Sequence, residues 1–409
     1  MSQAILEGYK VLDLSQVVAG PSVTRMMAEM GAEVIKVEIA PDGDLAHQLP
    51  YISNGRSAYY VQQNRGKKSI CLDVKSPQGK QILLDLASQV DVLVEAFSPG
   101  AIGRLGLGYD VVSNLNPNLV MCSISAFGQS GPQSQMPGYD YIAQAYSGFT
   151  GLIGEENGSP YFPQVAFGDS ATGGYALAAI MAALLHRERG GPGQYLDISL
   201  LDVYLHGNEI GIQGISASQG ELVPTRKGNQ HFSVTPLGIF KGTSGYLVIV
   251  ALGKQWLDLC KVMKRSELGT DPRFIDNPSR VKNLPAVIDV IETWLKEVGN
   301  DDEAMLQLEA GHVPFAPVLT IQQAMELPQV KHRGSVSTIN DRQLGEFQVP
   351  MSPLHFSACG KTPDLPAPFL GEHNQQVLEQ ILGLDQSTIN KLTEQGVLHA
   401  KPLASNLSQ

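Results

Sequence analysis

Residues 9–38 read YKVLDLSQVVAGPSVTRMMAEMGAEVIKVE, and this stretch decides the fold. Two short apolar runs within it, 9–14 (YKVLDL) and 32–38 (AEVIKVE), have the length and composition of buried strands. Between them lies a loop and then a helical segment, about 22–30, that ends at Gly31, a residue type common just beyond helices. A strand, a helix and a second strand in this order predict a parallel pair joined by a right-handed crossover.

The same alternation continues along the first third of the chain. Further strands are predicted over 69–74, 91–97 and 119–125, and a helix over 77–89 begins with a proline, which suits a first helical turn. Short apolar strands that alternate with helices indicate an α/β protein with a doubly wound parallel sheet.

The pattern changes after residue 168. Residues 171–189 predict a strongly apolar helix, and 195–199 predict a strand. Between 216 and 228 the chain is polar and aperiodic, which indicates a crossing into a second, smaller α/β unit. The elements predicted beyond that crossing are strands at Phe240, 246–251 and 314–320 and helices over 255–264, 284–297 and 302–310.

Composition excludes several classes of protein. The 409 residues carry 29 Lys and Arg against 40 Asp and Glu, a net charge of −11, whereas nucleic-acid binding requires a basic surface. The four cysteines lie far apart, without zinc spacing, so neither a metal site nor a disulfide framework is indicated. No secretory signal is visible, and the most apolar stretch, 176–185, is shorter than the roughly 20 residues of a membrane helix. We therefore expect a cytoplasmic protein with neither a nucleic-acid nor a membrane partner.

The common nucleotide and hydrolase motifs are missing from the sequence. The loop after the first strand reads QVVAGP (16–21) instead of G-x-G-x-x-G, and the run GRLGLG (103–108) has the wrong glycine spacing. The sequence contains no P-loop, HExxH or GxSxG motif, so the mechanisms that depend on them have no local support.

The segment AFGDSATGG (166–174) is the most informative candidate site. Asp169 stands just before the long apolar helix, and one interpretation makes it an N-cap whose carboxylate accepts from the first helical N–H groups. The other interpretation is catalytic, since the glycines permit a ligand to approach and a helix N-terminus favours an ionised, nucleophilic carboxylate. These residues alone leave both interpretations open.

A family resemblance extends over nearly the whole chain. It is carried by VLDLSQVVAGP (11–21), MGAEVIKVE (30–38), NRGKKSICLD (64–73), VLVEAFSPGAIGRLGLGYD (92–110), FGQSGP (127–132), PGYDYIAQAYSG (137–148), FGDSATGGYALAAI (167–180), GPGQYLDISLLD (191–202) and GEHNQQVL (371–378). In this order the stretches resemble the class III CoA-transferases, the superfamily of formyl-CoA and carnitine CoA-transferases that also contains α-methylacyl-CoA racemase.

The resemblance implies a reaction and a nucleophile. The expected activity is CoA transfer between small carboxylic acids, with dicarboxylates such as succinate, itaconate or mesaconate as plausible donors or acceptors. Asp169 would form a mixed anhydride and then an aspartyl-CoA thioester, and Tyr139 and Asp140 match residues near the nucleophile. CoA and acyl-CoA would enter as substrates, with no metal and no permanently bound cofactor.

The resemblance also implies contacts with CoA. The matching residues are Lys67 and Arg104 for the phosphates, Phe97 for the adenine, and Val17, Val18 and Ala19 for the loop that packs on the nucleotide. The chain departs from its relatives at Ile39 and Ala96, where Arg or Pro and Asn are common. A tetraglycine loop that covers the active site of formyl-CoA transferase has no counterpart either, which puts formyl-CoA and oxalate specificity in doubt.

By the same resemblance, residues 1–224 and 325–409 form a large, Rossmann-like, CoA-binding domain, and residues 225–324 form a small α/β domain. Two chains would interlock as a homodimer.

Two alternatives differ in function. A racemase or epimerase of the same superfamily exchanges a proton between a histidine and an aspartate, but the histidine position is occupied here by Tyr139, which favours transfer. A non-catalytic acyl-CoA binder is the other alternative, and the intact Asp169 with its neighbouring glycines stands against it.

Overall fold

The computed structural model describes residues 4–359 and 365–401. Its strands are β1 (Lys10–Asp13), β2 (Glu33–Ile39), β3 (Ile52–Ser53), β4 (Arg56–Ser57), β5 (Lys67–Leu72), β6 (Val92–Glu95), β7 (Val120–Ser125), β8 (Tyr195–Ser199), β9 (Leu237–Lys241), β10 (Tyr246–Val250), β11 (Phe315–Pro317), β12 (Val336–Asp341) and β13 (Gly345–Pro350). Its α-helices are α1 (Ala19–Glu29), α2 (Ala58–Asn64), α3 (Pro77–Ala87), α4 (Ala101–Arg104), α5 (Tyr109–Leu115), α6 (Asp140–Tyr146), α7 (Phe167–Glu188), α8 (Leu200–His206), α9 (Gly211–Ala217), α10 (Gln255–Val262), α11 (Asn277–Lys282), α12 (Leu284–Val298), α13 (Asp301–Ala310), α14 (Ile321–Met325), α15 (Pro328–Arg333), α16 (Asn374–Leu382) and α17 (Gln386–Glu394).

The central feature is a six-stranded sheet with the order β5-β2-β1-β6-β7-β8, in which all neighbours are parallel. This order is that of a doubly wound sheet, which grows outward in one direction from β1 and in the other from β6. The predicted α/β class and parallel sheet are confirmed. Ligands of such sheets bind where the direction reverses, beyond the carboxyl ends of the two central strands.

Helices cover both faces of the sheet, which explains why its strands are apolar throughout. On one face, strand residues such as Leu12 and Leu93 pack with buried residues of α3, α5, α16 and α17. On the other face, Val11 and Val94 pack with α1 and α7. Helix α1 starts at Ala19 rather than near residue 22, so it includes Gly20 and Pro21.

Helix α1, at its first turn, approaches helix α7 closely at the second turn of α7. A Cβ added to Gly173 would lie 2.2 Å from Ser22 Oγ and 3.2 Å from the Ala19 carbonyl oxygen. Helix α1 follows β1, and α7 returns toward the start of the parallel strand β8, so both helices begin at the carboxyl edge of the sheet. The first turn of α1 and the second turn of α7 are therefore neighbours.

The C-terminal segment covers the open edge of the sheet at β5. The Ser69 N–H donates to His373 Nδ1 at 3.1 Å, and the His373 N–H donates to the Ser69 carbonyl oxygen at 2.8 Å. The Cys71 N–H donates to Asn374 Oδ1 at 2.9 Å, and the His399 N–H donates to the Cys71 carbonyl oxygen at 3.0 Å. Polar groups that an edge strand would otherwise expose thus have partners.

The chain divides into two compact units. The first consists of Met1–Ser147, Val165–Gly207 and Gln329–Gln409, and it contains the parallel sheet. The second consists of Gly148–Gln164 and Asn208–Pro328. In the second unit an antiparallel sheet, β11-β10-β9, shares an apolar core with α10, α12 and α13.

The predicted small domain, residues 225–324, falls inside the second unit, which also takes in 148–164, 208–224 and 325–328. The Arg226 guanidinium helps to hold residues 148–164 in this unit. It donates to the carbonyl oxygens of Gly151 at 3.0 Å, Glu155 at 3.3 Å and Gly158 at 3.1 Å. Residues 1–3, 360–364 and 402–409 of the predicted large domain lie outside the described residues. The domain division itself stays a prediction.

In the part of the chain that the structure describes, no helix is both long enough and apolar enough to cross a bilayer. The expected cytoplasmic location stays a prediction.

Glu95, at the end of β6, is a buried carboxyl within the sheet. It is 1% exposed, and its Oε2 accepts from the Phe97 N–H at 2.7 Å. Burial raises the pKa of Glu95 to about 7, and the charge of Asp197 adds to the rise. The folded protein therefore binds this proton more tightly than the unfolded chain does. The resulting contribution to stability falls as pH rises from about 4.5 to about 7 and is then constant.

We expect Glu95→Gln to increase stability relative to the wild type above pH 7, by about 3 kcal/mol, because the amide keeps an acceptor for Phe97 and carries no charge. Urea unfolding of both proteins from pH 4.5 to 8 measures the difference in the free energy of unfolding. That difference should grow with pH up to about 7. A difference independent of pH would contradict the assignment, since a pure packing effect has no such dependence.

Candidate active site

Asp169 lies in the first turn of α7, which begins at Phe167, one turn earlier than the sequence predicts. The N-cap position belongs to Ala166, whose side chain has no acceptor. The interpretation of Asp169 as the N-cap is therefore wrong. The helix begins before Asp169 because side chains from two other helices accept hydrogen bonds from its first N–H groups.

Asp140 and Tyr204 provide these acceptors. Asp140 Oδ2 accepts from the Asp169 N–H at 2.7 Å, and the Tyr204 hydroxyl oxygen accepts from the Gly168 N–H at 3.1 Å. The Tyr204 hydroxyl in turn donates to Asp140 Oδ1 at 2.8 Å, and Gln144 Nε2 donates to the Tyr204 hydroxyl at 3.0 Å. The nucleophile candidate thus lies in a hydrogen-bonded junction of α6, α7 and α8.

Local structure explains how α6 delivers Asp140 to this junction. Asp140 is the first residue of α6, Tyr139 is its N-cap, and Asp140 is 2% exposed. The preceding Gly138 passes so close to Ala126 that a Cβ on it would lie 2.4 Å from the Ala126 Cβ. Of the two residues predicted to lie near the nucleophile, Asp140 is part of the junction, whereas Tyr139 is 73% exposed and is not.

Electrostatics at Asp169 differ from the expectation. Burial, and then the charge of Asp140, raise the pKa of Asp169 to about 7. The expected stabilisation of the ionised carboxylate by the helix N-terminus is wrong, because Asp140 and Tyr204 already bind the N–H groups of the first turn. Near pH 7 the Asp169 carboxyl is about half protonated.

Two tyrosines near Asp169 remain proton donors at neutral pH. Burial, followed by the charge of Asp169, raises the pKa of Tyr59 to about 12. Burial, followed by the hydrogen bond to Asp140, raises the pKa of Tyr204 to about 12. From the sequence alone, Tyr59, Tyr204 and Gln144 have no assigned role. Gln144 falls within the quoted stretch 137–148, but its contact with Tyr204 joins helices distant in sequence.

Lys67, a predicted phosphate contact, lies in a buried charge cluster. Its Nζ donates to Asp13 Oδ2 at 2.9 Å, to Asn64 Oδ1 at 2.9 Å and to the Pro21 carbonyl oxygen at 3.0 Å, and its side chain is 0% exposed. Burial lowers the pKa of Lys67 to about 8, although Asp13 acts in the opposite direction. A phosphate could reach this ammonium only if these partners moved, so the Lys67 contact stays a prediction.

The other predicted CoA residues lie in loops that follow the two central strands. Strands β1 and β6 are neighbours, and the Leu14 N–H donates to the Val94 carbonyl oxygen at 2.8 Å. The loop after β1 contains Val17 and Val18, Ala19 is the first residue of α1, and the segment after β6 contains Phe97 and Arg104. The sheet therefore brings both segments to the point where doubly wound folds bind ligands.

Conformation and exposure distinguish these loop residues. Val17 has φ of +67°, unusual for a β-branched residue, and its N–H donates to Asp44 Oδ1 at 3.1 Å. Val18 and Ala19 are buried, Phe97 is half-buried and Arg104, at the end of α4, is exposed. Their contacts with CoA stay predictions.

Within 4–359 and 365–401, His, Cys, Asp and Glu side chains do not gather in groups of three as a metal ion would require.

The chain belongs to CoA-transferase family III, whose model matches residues 6–374. It is therefore a transferase that acts on CoA thioesters, as the resemblance implied. It is 36% identical to succinyl-CoA:glutarate CoA-transferase of Mus musculus over 96% of this chain and 90% of the relative. It is 33% identical to formyl-CoA:oxalate CoA-transferase of Streptomyces coelicolor (97% and 100% covered) and 34% identical to succinyl-CoA:mesaconate CoA-transferase of Haloarcula hispanica (92% and 96%).

A solved structure agrees with the fold. The crystal structure of a CAIB/BAIF family protein from Brucella suis superimposes with a TM-score of 0.79 at 31% identity, covering 93% of this chain and all of that one.

We expect Gly168→Ala to destabilise the protein by about 2–3 kcal/mol and to abolish transfer. The new Cβ would lie 2.3 Å from Tyr204 Cε2 and 2.7 Å from Asp140 Oδ2, so the junction must open. Thermal unfolding and activity measure both effects. The matched control is Gly103→Ala in α4, where nothing lies within 4 Å of the added Cβ and the melting temperature should not fall. Equal melting temperatures for the two variants would contradict the tight packing described at Gly168.

Proposed function

We propose that the protein transfers CoA from an acyl-CoA donor to a small dicarboxylic acid, with Asp169 as the covalent nucleophile. One observation carries the proposal. A half-buried carboxyl with a pKa near 7 lies at the carboxyl edge of the sheet, on a helix turn whose backbone is held by Asp140 and Tyr204. The relatives' names mention succinyl-CoA with glutarate or mesaconate and formyl-CoA with oxalate, which supports dicarboxylates as substrates.

The first half-reaction loads CoA onto the enzyme. An Asp169 carboxylate oxygen attacks the thioester carbonyl carbon of the donor, the C–S bond breaks, and CoA thiolate leaves behind a mixed anhydride. The thiolate then attacks the Asp169 carbonyl carbon, the anhydride C–O bond breaks, and the donor acid leaves as its carboxylate. The product is an aspartyl-CoA thioester.

The second half-reaction runs in reverse with the acceptor. The acceptor carboxylate attacks the aspartyl thioester and expels CoA thiolate, which then attacks the acceptor carbonyl of the new anhydride. The Asp169 carboxylate is regenerated. No net proton is transferred, and the energy of the thioester is retained because each step exchanges one activated acyl bond for another.

The neighbouring residues have distinct roles in this mechanism. Asp140 holds the Asp169 backbone in place at 2.7 Å and supplies the negative charge that makes Asp169 more basic. A more basic carboxylate is the stronger nucleophile once it is ionised. Tyr59, whose pKa is raised by burial and by the charge of Asp169, stays a protonated phenol near the carboxyl, and the exposed Tyr139 is available to an incoming substrate.

The proposed CoA site follows the loops after β1 and β6. Ala19, which follows Val17 and Val18, lies beside the second turn of α7, since Gly173 approaches the Ala19 carbonyl oxygen. Arg104 is the exposed cation among the predicted contacts, and we assign the CoA phosphates to it rather than to the buried Lys67. In a chain of net charge −11 such a local cation matters.

Racemisation is the second candidate, because a carboxyl with a pKa near 7 also suits a general base. The exchange requires a second acid–base group, and Tyr139 stands where the racemases carry histidine. Incorporation of deuterium from solvent at the carbon α to the thioester would indicate this reaction.

The decisive experiment traps the intermediate. We expect incubation with succinyl-CoA to add CoA to Asp169, and hydroxylamine to convert that thioester to a hydroxamate that peptide mass spectrometry locates. A panel of dicarboxylic acids then identifies acceptors from the acyl-CoA formed. Asp169→Asn should lower kcat at least about 10³-fold, since the amide is not a nucleophile.

Asp202→Asn provides the matched control, since Asp202 is an exposed aspartate in the first turn of α8 and should retain activity. Product formation by Asp169→Asn, or binding of acyl-CoA without any adduct for every donor tested, would exclude covalent transfer and favour racemisation or simple binding.

We also propose that two copies associate through α7, in the interlocked form that the resemblance implies. The outward face of this helix is apolar, with Tyr175 43% and Leu185 51% exposed, and Ala178 and Ala182 lie between them at helical spacing. An apolar face of this kind on a long helix is typical of an interface.

We expect the wild type to have a mass near twice the 44.0 kDa of one chain, and Leu185→Glu to shift it toward the monomer, because a buried unpaired charge opposes association. Light scattering after size-exclusion chromatography measures this. Leu306→Glu, at a leucine of α13 that is 60% exposed, is the control and should leave the mass unchanged. A monomeric wild type would contradict the proposal.

A further inference from the structure

The N-terminus of α7 is capped by side chains from other helices. Helix α7 is 22 residues long, and its N-cap residue Ala166 has no side-chain acceptor. Two of its first-turn N–H groups, on Gly168 and Asp169, instead donate to Tyr204 of α8 and Asp140 of α6. The position of the Asp169 backbone therefore depends on these two side chains.

The Tyr204 hydroxyl has a defined orientation within this arrangement. A phenol has one proton to donate and two lone pairs to accept with. The Gly168 N–H can only donate, so Tyr204 accepts there at 3.1 Å, and its own proton goes to Asp140 Oδ1 at 2.8 Å. Gln144 Nε2 donates to the same oxygen at 3.0 Å. Tyr204 is 6% exposed, so solvent does not compete for these bonds.

We infer that Tyr204 is a positioning residue that acts on Asp169 through Asp140. Its hydroxyl holds the Asp140 carboxylate against the first turn of α7, and the negative charge held there opposes ionisation of Asp169. The inference rests on the proposed role of Asp169 as the nucleophile. It adds that α8, through a single hydroxyl, contributes to the basicity of that nucleophile.

Among the groups near Asp169, Asp140 is the one whose charge raises the pKa of Asp169. The charge of Asp140 acts directly on Asp169. Tyr59 of α2 is affected by the charge of Asp169 and also by those of Asp44 and Tyr141, and Tyr204 of α8 contacts Asp140. After burial, the charge of Asp140 is the cause that raises the pKa of Asp169 to about 7. Loss of the Tyr204 hydroxyl removes the donor that fixes this charge and leaves the other groups in place.

The test compares Tyr204→Phe with the wild type and with Asp140→Asn, which removes the charge altogether. A water-soluble carbodiimide modifies protonated carboxyls, and peptide mass spectrometry at a series of pH values gives the midpoint for Asp169. We expect a midpoint near pH 7 in the wild type, a shift of about half a pH unit downward in Tyr204→Phe, and a larger downward shift in Asp140→Asn. In transfer assays, kcat of Tyr204→Phe should fall about tenfold with KM for acyl-CoA unchanged, since the buried hydroxyl does not reach substrate.

Tyr9→Phe is the matched control, because Tyr9 also donates its hydroxyl to a carboxylate, Glu188 Oε1 at 2.9 Å, but away from the site. This variant should show the wild-type midpoint and kcat. If Tyr204→Phe has the same labelling midpoint and the same kcat as Tyr9→Phe, the inference is overturned. It is also overturned if Tyr204→Phe loses activity only in proportion to a fall in its melting temperature. The labelling does not depend on turnover. If the wild type forms the CoA adduct but the Asp169 midpoint is unshifted in Tyr204→Phe, only the role of Tyr204 is rejected. If the midpoint shifts but no CoA adduct forms, only the proposed function is rejected.

Discussion

The buried ion pair between Asp13 and Lys67 is the interaction on which the carboxyl edge of the sheet depends. Both side chains are 0% exposed, and Asp13 Oδ2 also accepts from Thr24 Oγ1 of α1 at 2.7 Å. Lys67 in turn donates to Asn64 of α2 and to the Pro21 carbonyl of α1. Although burial opposes ionisation, Lys36 and Lys67 hold the pKa of Asp13 well below its usual range. Loss of one partner from such a buried pair typically costs about 3–5 kcal/mol, so β1, β5, α1 and α2 keep one arrangement.

This arrangement extends to the candidate active site through α1. The helix that Asp13 and Lys67 hold packs against α7 at Gly173, where a side chain would not fit. The second turn of α7 is thereby placed beside the first turn of α1, and α6 and α8 contribute Asp140 and Tyr204 at the start of α7. The raised pKa of Asp169 comes from burial and from the charge of Asp140, which α6 brings to the first turn of α7.

Patterns of short range were predictable from the sequence, and contacts of long range were not. The strand β8 has the predicted bounds 195–199, because an apolar run between a turn and a helix is a local signal. Helices α2, α5, α6 and α8 have seven residues each, too few for a clear period, and the sequence did not indicate them. Asp169 was found from its glycines and the family resemblance. Its raised pKa and the burial of Lys67 depend on partners that only the folded chain brings near.

The covering of β5 has a consequence for biosynthesis. The residues that close this edge, His373, Asn374 and His399, follow Ser69 and Cys71 by about three hundred positions in the chain. After the first strands are made, the ribosome must therefore synthesise nearly the whole polypeptide before the C-terminal residues can pair with the edge strand β5. During that interval the nascent chain presents unpaired strand groups on which another molecule could assemble. Successful expression should thus depend on the rate of translation and on chaperones that shield this edge.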